Sequence, residues 1–367
     1  MAGENSFNKM MEESLASPKI VRNNYLAEKI LIVNGQPGCG KTMLSPIVAA
    51  MDRVELLTYA FELEYICALY HLQKMTVDAA IAMVRMLTDL QLYNTMMARV
   101  NFRPGDLSSV FSDIHTVKYI KRLFQKGDEL VPMRVQKEKP ILHLTTHNLL
   151  PYSEPLFAAL EDRLVFIEVI RHPLYMIKQQ RFNMKRSFTG NVRDFTIYFE
   201  HKGKQVPYFV SGWEDLFVDS NLIDKAIYSI EKHIRLSQDK IVYLEKRYNA
   251  NFIIIPFEKY VVNPWPCMEQ VVQRLENKIT KKTRRMMKKQ NVPRKMYAEG
   301  IGLKIYKRCG WEPPGKKLNE QQELDKRRQF AIEQGASKAA MEALDRICQE
   351  YEERYLSSVY GLKRSAM

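Results

Sequence analysis

The chain has 367 residues, of which 46% are apolar and 27% charged, and 56 lysines and arginines against 42 acids give a formal net charge of +14. That length suits one large α/β domain or two smaller ones, and the composition can bury a core, which excludes a chain disordered throughout. The excess of cations implies an anionic partner, without saying whether it is a nucleotide, a glycan or a nucleic acid.

Residues 1–28 read as a polar lead-in of mixed charge, with no apolar core of a secretory signal. The β-branched run 30–33 predicts a strand, and it passes directly into Gly35-Gln36-Pro37-Gly38-Cys39-Gly40-Lys41-Thr42, with a helix expected over 43–51. This is G-x-x-x-x-G-K-[ST] between a strand and a helix, the context in which the spacing has a physical meaning. Glycines let backbone N–H groups curl around an anion, and the next helix turns its positive end towards the same anion. A bare Gly/Pro turn is the bland alternative, and the flanking strand and helix weigh against it.

Residues 54–97 are apolar at helical spacing and predict two or more packed helices. A turn follows at 101–106 and helix again over 107–126. Residues 141–145, 164–170 and 252–257 then read as short buried strands separated by helices, the signature of a parallel sheet wrapped by helices. Residues 193–213 predict a hairpin turning at Lys202-Gly203-Lys204, and 221–248 a long amphipathic helix. Beyond Pro264 the chain reads as helical, with a polar interruption over 290–317 and a charged helix over 319–360. No apolar run reaches the ~18 residues that would span a bilayer. Cys39, Cys67, Cys267, Cys309 and Cys348 are scattered, which argues against a disulfide framework or zinc site and fits a reducing compartment.

The strand ends carry the next clue. A nucleotide hydrolase with this loop needs an acid there to hold Mg²⁺. Instead 141–145 runs into Thr146-His147 and 164–170 into Arg171-His172-Pro173; Glu168 lies inside its strand, leaving Glu258 as the only candidate metal acid. Ligands of open α/β sheets sit outside the carboxyl ends of the strands, so the loop, His147 and Arg171 are expected to converge. His147 is a candidate general base towards a hydroxyl, and Arg171 could fork onto a second phosphate. Taken singly, a capping histidine and a surface ion pair are their ordinary readings.

At these points the sequence resembles the sulfotransferases that use 3'-phosphoadenosine 5'-phosphosulfate (PAPS). Pro37, Gly40 and Lys41-Thr42 stand near the family's loop positions, and Thr145-Thr146-His147 near its Lys-Thr-His. Arg171-His172-Pro173 matches its Arg-x-Pro, and Phe257-Glu258-Lys259-Tyr260 with Asn263-Pro264 echoes a later motif. The order holds from about residue 30 to 275. Gly38 stands where the family commonly has Lys or Arg, and Gln179 where it has serine.

The resemblance implies an α/β fold with a P-loop-type central parallel sheet flanked by helices and a helix-rich C-terminal part. It implies one domain over 29–317, with 193–213 inserted and 318–367 packed on it. Residues 35–42 would hold the 5'-phosphosulfate, with Lys41 countering charge on the leaving phosphate. Arg171, Gln179 and, from the basic run 281–295, Arg294 and Lys295 would hold the 3'-phosphate. His147 would be the base, with Glu62 or Glu64 as alternatives. The implied co-substrate is PAPS, released as PAP, with no metal and a cytoplasmic location. The acceptor would be a hydroxyl compound (glycan, lipid or small molecule) lying against 193–213 and the helices of 54–97. A nucleic-acid partner is disfavoured, because aromatics do not interleave the basic run. A P-loop kinase using ATP-Mg²⁺ and a catalytically silent nucleotide-binding module are the competing readings.

Overall fold

Along the first strand the side chains alternate between two cores: Leu31 and Val33 join one apolar cluster, Ile30 and Ile32 the other. Burial on both faces marks a strand at the centre of a sheet covered by helices on each side. The computed structural model describes residues 18–187, 192, 194–308, 311–315 and 318–356. Residues 1–17 of the lead-in, Arg193, Cys309, Lys317 and residues 357–367, including the predicted helix end at Tyr360, lie outside the described residues.

Strand β1 (Lys29–Asn34) ends in the glycine loop and α1 (Lys41–Ala49) follows. A short edge strand, β2 (Thr58–Tyr59), leads into α2 (Phe61–His71) and α3 (Val77–Met96). Two shorter helices, α4 (Thr116–Leu123) and α5 (Val131–Glu138), bring the chain to β3 (Ile141–Thr145). Next come α6 (Glu154–Leu160), β4 (Leu164–Ile170), α7 (Pro173–Ser187), the hairpin β5 (Tyr198–His201) and β6 (Lys204–Pro207), α8 (Glu214–Asp219) and the long α9 (Leu222–Tyr248). β7 (Phe252–Pro256) passes straight into α10 (Phe257–Val262), then α11 (Trp265–Leu275), α12 (Lys281–Lys289), α13 (Lys304–Arg308), α14 (Glu320–Glu333) and α15 (Lys338–Tyr351).

The five-stranded sheet has the order β2-β3-β1-β4-β7, and every pair is parallel. From β1 the chain first builds the β2/β3 side and then crosses to the β4/β7 side. The strand order therefore reverses at β1, which opens a crevice beyond its carboxyl end. The fold is the expected α/β class. Among the described residues no helix is long and apolar enough to cross a membrane.

Local expectations needed correction in four places. Residues 54–60 are not helix: Glu55 N donates to Ile141 O (3.0 Å) and Ala60 N to Thr145 O (3.1 Å), so the segment extends the sheet edge. Pairing with β3 overrides an apolar spacing that suits either structure. Residues 107–126 hold only α4 and a single 3₁₀ turn, because Ser109 and Asp113 accept from Phe111 N and His115 N and close local turns. The predicted 319–360 helix is split at Gly335, whose φ of +80° favours glycine. The first helix starts at Lys41, two residues earlier than its expected span.

Candidate functional site

The loop after β1 is built on close approaches. A Cβ at Gly35 would lie 2.4 Å from Val169 O, and one at Gly40, where φ is +108°, would lie 2.3 Å from Phe257 Cδ2. Only glycine fits between the loop and the strand ends it packs against. Lys41 is buried and folds back: its Nζ donates to Gly35 O and, at 3.2 Å, to Gln36 O. Cys39 is also buried, and burial pushes its thiol above the usual range, against the pull of Lys41.

A cavity of about 190 Å³ opens on this loop and is lined by Gln36, Pro37, Gly38, Gly40, Lys41 and Thr42. Opposite stand Arg171, Gln179 and Arg294. Arg171 Nη1 donates to Gly38 O at 3.0 Å, and its guanidinium lies 4.1 Å from the Phe257 ring centre and 4.7 Å from that of Tyr175. Among the described residues its buried Nε has no hydrogen-bond partner, and it lies 3.8 Å from Glu258 Oε1, outside hydrogen-bond range. Burial holds the Arg171 guanidinium below its ordinary pKa, against the pull of Glu258. A Cβ on Gly38 would lie 3.3 Å from Gln179 Oε1, so Gln179 faces the loop closely. Arg294 is buried with Nε on Asn291 O, and burial followed by the nearby Arg171 lowers it to about 10. Lys295 is exposed and does not line the cavity. The run 281–295 thus contributes Gln290 and one arginine to the lining, and α12 instead buries Thr283, Met286 and Met287.

Glu258, the only acid the sequence offered for a metal, is fully buried behind the cavity wall. It accepts from Tyr351 OH at 2.6 Å and from His172 N at 3.2 Å. These two hydrogen bonds engage both of its oxygens in ordering the wall.

His147 sits where β3 ends and lines this cavity together with a second one of about 350 Å³. Its backbone N–H donates to Glu64 Oε1 at 2.7 Å, and its Nδ1 lies 3.1 Å from the same oxygen. A carboxylate there places the proton on Nδ1 and leaves the Nε2 lone pair free. Tyr59, Phe61 and the imidazole form a nearly parallel trio with ring centres 5.9 Å apart pairwise. Two of the three candidate bases are therefore partners: Glu64 orients His147, whereas Glu62 is exposed and lines neither cavity.

The second cavity also contacts Gln36 and Pro37. Phe61, Glu64 and Tyr65 of α2 form one wall, and Thr196, Tyr208 and Phe209 beside the hairpin another. The hairpin itself turns at Lys202-Gly203, both at positive φ (50° and 73°), as a two-residue turn requires. Sequence reasoning missed Ser229 and His233, which α9 presents to this cavity. Burial, with Lys41 nearby, lowers His233 to about 3, so it is neutral; its Nε2 and Ser229 Oγ have no hydrogen-bond partner among the described residues. Their signal was an amphipathic pattern with a polar interruption on its inner face, which periodicity alone cannot separate from surface.

No protein-family model matches the chain, and comparison with curated proteins finds no match. Among solved structures it is similar to sulfotransferase STF9 from Mycobacterium avium, at 14% identity over 96% of this chain and 81% of that one, with a TM-score of 0.40. It is also similar to the sulfotransferase domain of the Synechococcus PCC 7002 olefin synthase, at 14% identity over 91% and 97% of the two chains, TM-score 0.41. A sulfotransferase domain from the curacin biosynthetic pathway is 12% identical over 83% and 97%, TM-score 0.40. Likenesses this distant assign neither family nor activity.

Proposed function

We propose that the protein is a sulfotransferase that moves a sulfuryl group from PAPS to the hydroxyl of an acceptor. The observation that carries the reading is that two cavities, one cationic and glycine-lined and one rich in aromatic groups with polar and a few charged ones among them, meet at Gln36, Pro37 and His147. A transferase needs two substrates end to end with a base at the junction. The cationic cavity suits the donor: loop N–H groups and Lys41 for the 5'-phosphosulfate, Arg171 with Gln179 and Arg294 for the 3'-phosphate. Lys41 would exchange the Gly35 and Gln36 carbonyls for ligand oxygens.

In the proposed reaction His147 Nε2 takes the proton of the acceptor hydroxyl while its oxygen bonds to sulfur. The sulfur–oxygen bond to the 5'-phosphate breaks, and PAP leaves with the electron pair. Glu64 stabilises the imidazolium that forms, and Lys41 with the loop amides stabilises charge on the departing phosphate. The scheme calls for no metal. Its acceptor is a hydroxyl compound small enough, at least at its reacting end, for the second cavity.

The test is calorimetric binding of PAP with EDTA present, beside ATP with Mg²⁺. PAP is expected to bind without metal and ATP-Mg²⁺ weakly or not at all. His147→Ala should keep PAP binding and lose sulfuryl transfer to any acceptor the wild type uses. Binding only to ATP-Mg²⁺ would move a kinase to first place, and transfer unaffected in His147→Ala would remove the base.

A further inference from the structure

Residues 318–356 have no part in that scheme, yet one of them, Arg327, lines the donor cavity. Leu324 and Ala331 of α14 share a core cluster with Leu174 and Ile177 of α7. Tyr175 OH donates to Glu320 Oε2 at 3.0 Å, which ties the start of α14 to the strand-end arginine's neighbour. About two turns further on, Arg327 reaches the cavity lining. Its guanidinium lies 4.4 Å from the centre of the Tyr175 ring, and Arg171 lies 4.7 Å from the same ring. Phe257 in turn carries Arg171 at 4.1 Å and Arg294 at 5.5 Å. Three guanidinium groups are thus strung along two aromatic rings at one cavity, with Lys41 and Lys178 also lining it and Glu299 the one acid among the described lining residues.

Such an array is costly without an anion. Like charges repel more strongly as water is removed. The rings offset part of this through their quadrupoles. Arg327 is also paired with Glu323 at 3.0 Å, its side chain 13% exposed and that of Glu323 only 2%. An arginine held by one carboxylate still presents donors on its other edge, since the guanidinium has five N–H groups in a planar fork.

We propose, building on the donor reading above, that Arg327 is a phosphate-binding residue supplied by the C-terminal helices. With Arg171 it grips the 3'-phosphate and makes the site select a 3'-phosphorylated nucleotide over one without that group. Tyr175 is the platform that keeps the two guanidinium planes at working distance, and Glu323 competes with the ligand for one edge of Arg327.

The experiment compares PAP with adenosine 5'-monophosphate by calorimetry in the wild type, Arg327→Gln and Glu323→Gln, with ligand-free melting curves for each. The wild type is expected to prefer PAP. Arg327→Gln should lose about ten-fold or more for PAP, the size of one charge-assisted contact, and little for the monophosphate. Glu323→Gln should bind PAP at least as tightly as the wild type, because it frees Arg327; a merely structural ion pair would make both variants fall together, and that result overturns the proposal. Unchanged PAP affinity in Arg327→Gln overturns it as well and leaves the donor reading standing. A wild type that binds PAP no better than the monophosphate removes the donor reading and this inference with it.

Discussion

Glu168 shows how one residue can carry a pH signature into this site. It pairs in register with Asn34 at the end of β1 and accepts from Asn34 Nδ2 at 2.6 Å. Burial raises its carboxyl from 4.5 to about 7, against the lowering pull of Asn34 and Lys41. Between those values the unfolded chain has released the proton and the folded chain retains it. The stability this proton brings is therefore full below pH 4.5 and is lost as pH rises through 7, an effect on the order of 3 kcal/mol at most. Glu168→Gln keeps an oxygen for Asn34 and never ionises. It should melt above the wild type at pH 8 and close to it at pH 5. Denaturant curves at the two pH values check this, and a variant weaker at pH 8 would show that the carboxylate is ionised and useful where it sits.

Among the elements, α4 is turned the opposite way from an ordinary surface helix. It buries Tyr119 and Arg122, while Val117 (64%), Leu123 (50%) and, just past its end, Phe124 (85%) stay exposed. Glu55 explains the orientation. It is fully buried and takes Arg122 Nη1 at 2.8 Å, Lys118 Nζ at 2.7 Å and Tyr119 OH at 2.8 Å. Burial opposes its charge, but Lys118 and Arg122 prevail and hold it near 2, so the network persists down to acid pH. Glu55→Ala would leave Arg122 buried with the partly exposed Glu138 as its one acidic partner among the described residues, beside a long bond to Thr95 O at 3.4 Å. A loss of about 3–5 kcal/mol is expected. Trypsin should then cut after Lys121 or Lys126 far faster than in the wild type, and unchanged melting and cleavage would show that the helix is held by something other than this network.

The strands and their ends show what could be read from the chain. β1, the glycine loop, β3, β4 and β7 were legible because their signals are local: β-branched runs, glycines at fixed offsets, strand ends followed by His147 or Arg171. β2 was not, since two residues carry no period and its pairing partner lies over 80 positions away. Neither was the Glu64–His147 pair, whose members the sequence offered as rivals, nor the link from Tyr351 to Glu258. At a strand end Glu258 reads as a metal acid; the end of β4 and the return of α15 show its oxygens already engaged.

For the molecule as a whole, the question is whether the last helices are a separate unit. Leu324, Ala331, Ala340, Leu344 and Ile347 belong to the cluster that holds Leu31 and Val33 of β1. A shared core of this kind predicts one cooperative unfolding transition. Leu344 is fully buried, and Leu344→Ala should cost about 2–5 kcal/mol, from lost transfer energy and the cavity left behind. Because Arg235 of α9 pairs with Glu350 at 2.5 Å and Tyr351 reaches Glu258 behind Arg171, that loss cannot stay within α15. The calorimetric trace of the variant should remain a single peak at lower temperature, and PAP should move the whole peak upward as native-state binding requires. Two peaks, of which only one answers to Leu344→Ala, would make residues 318–356 an appended unit. The cavity wall that carries Arg327 would then be able to open without unfolding the sheet.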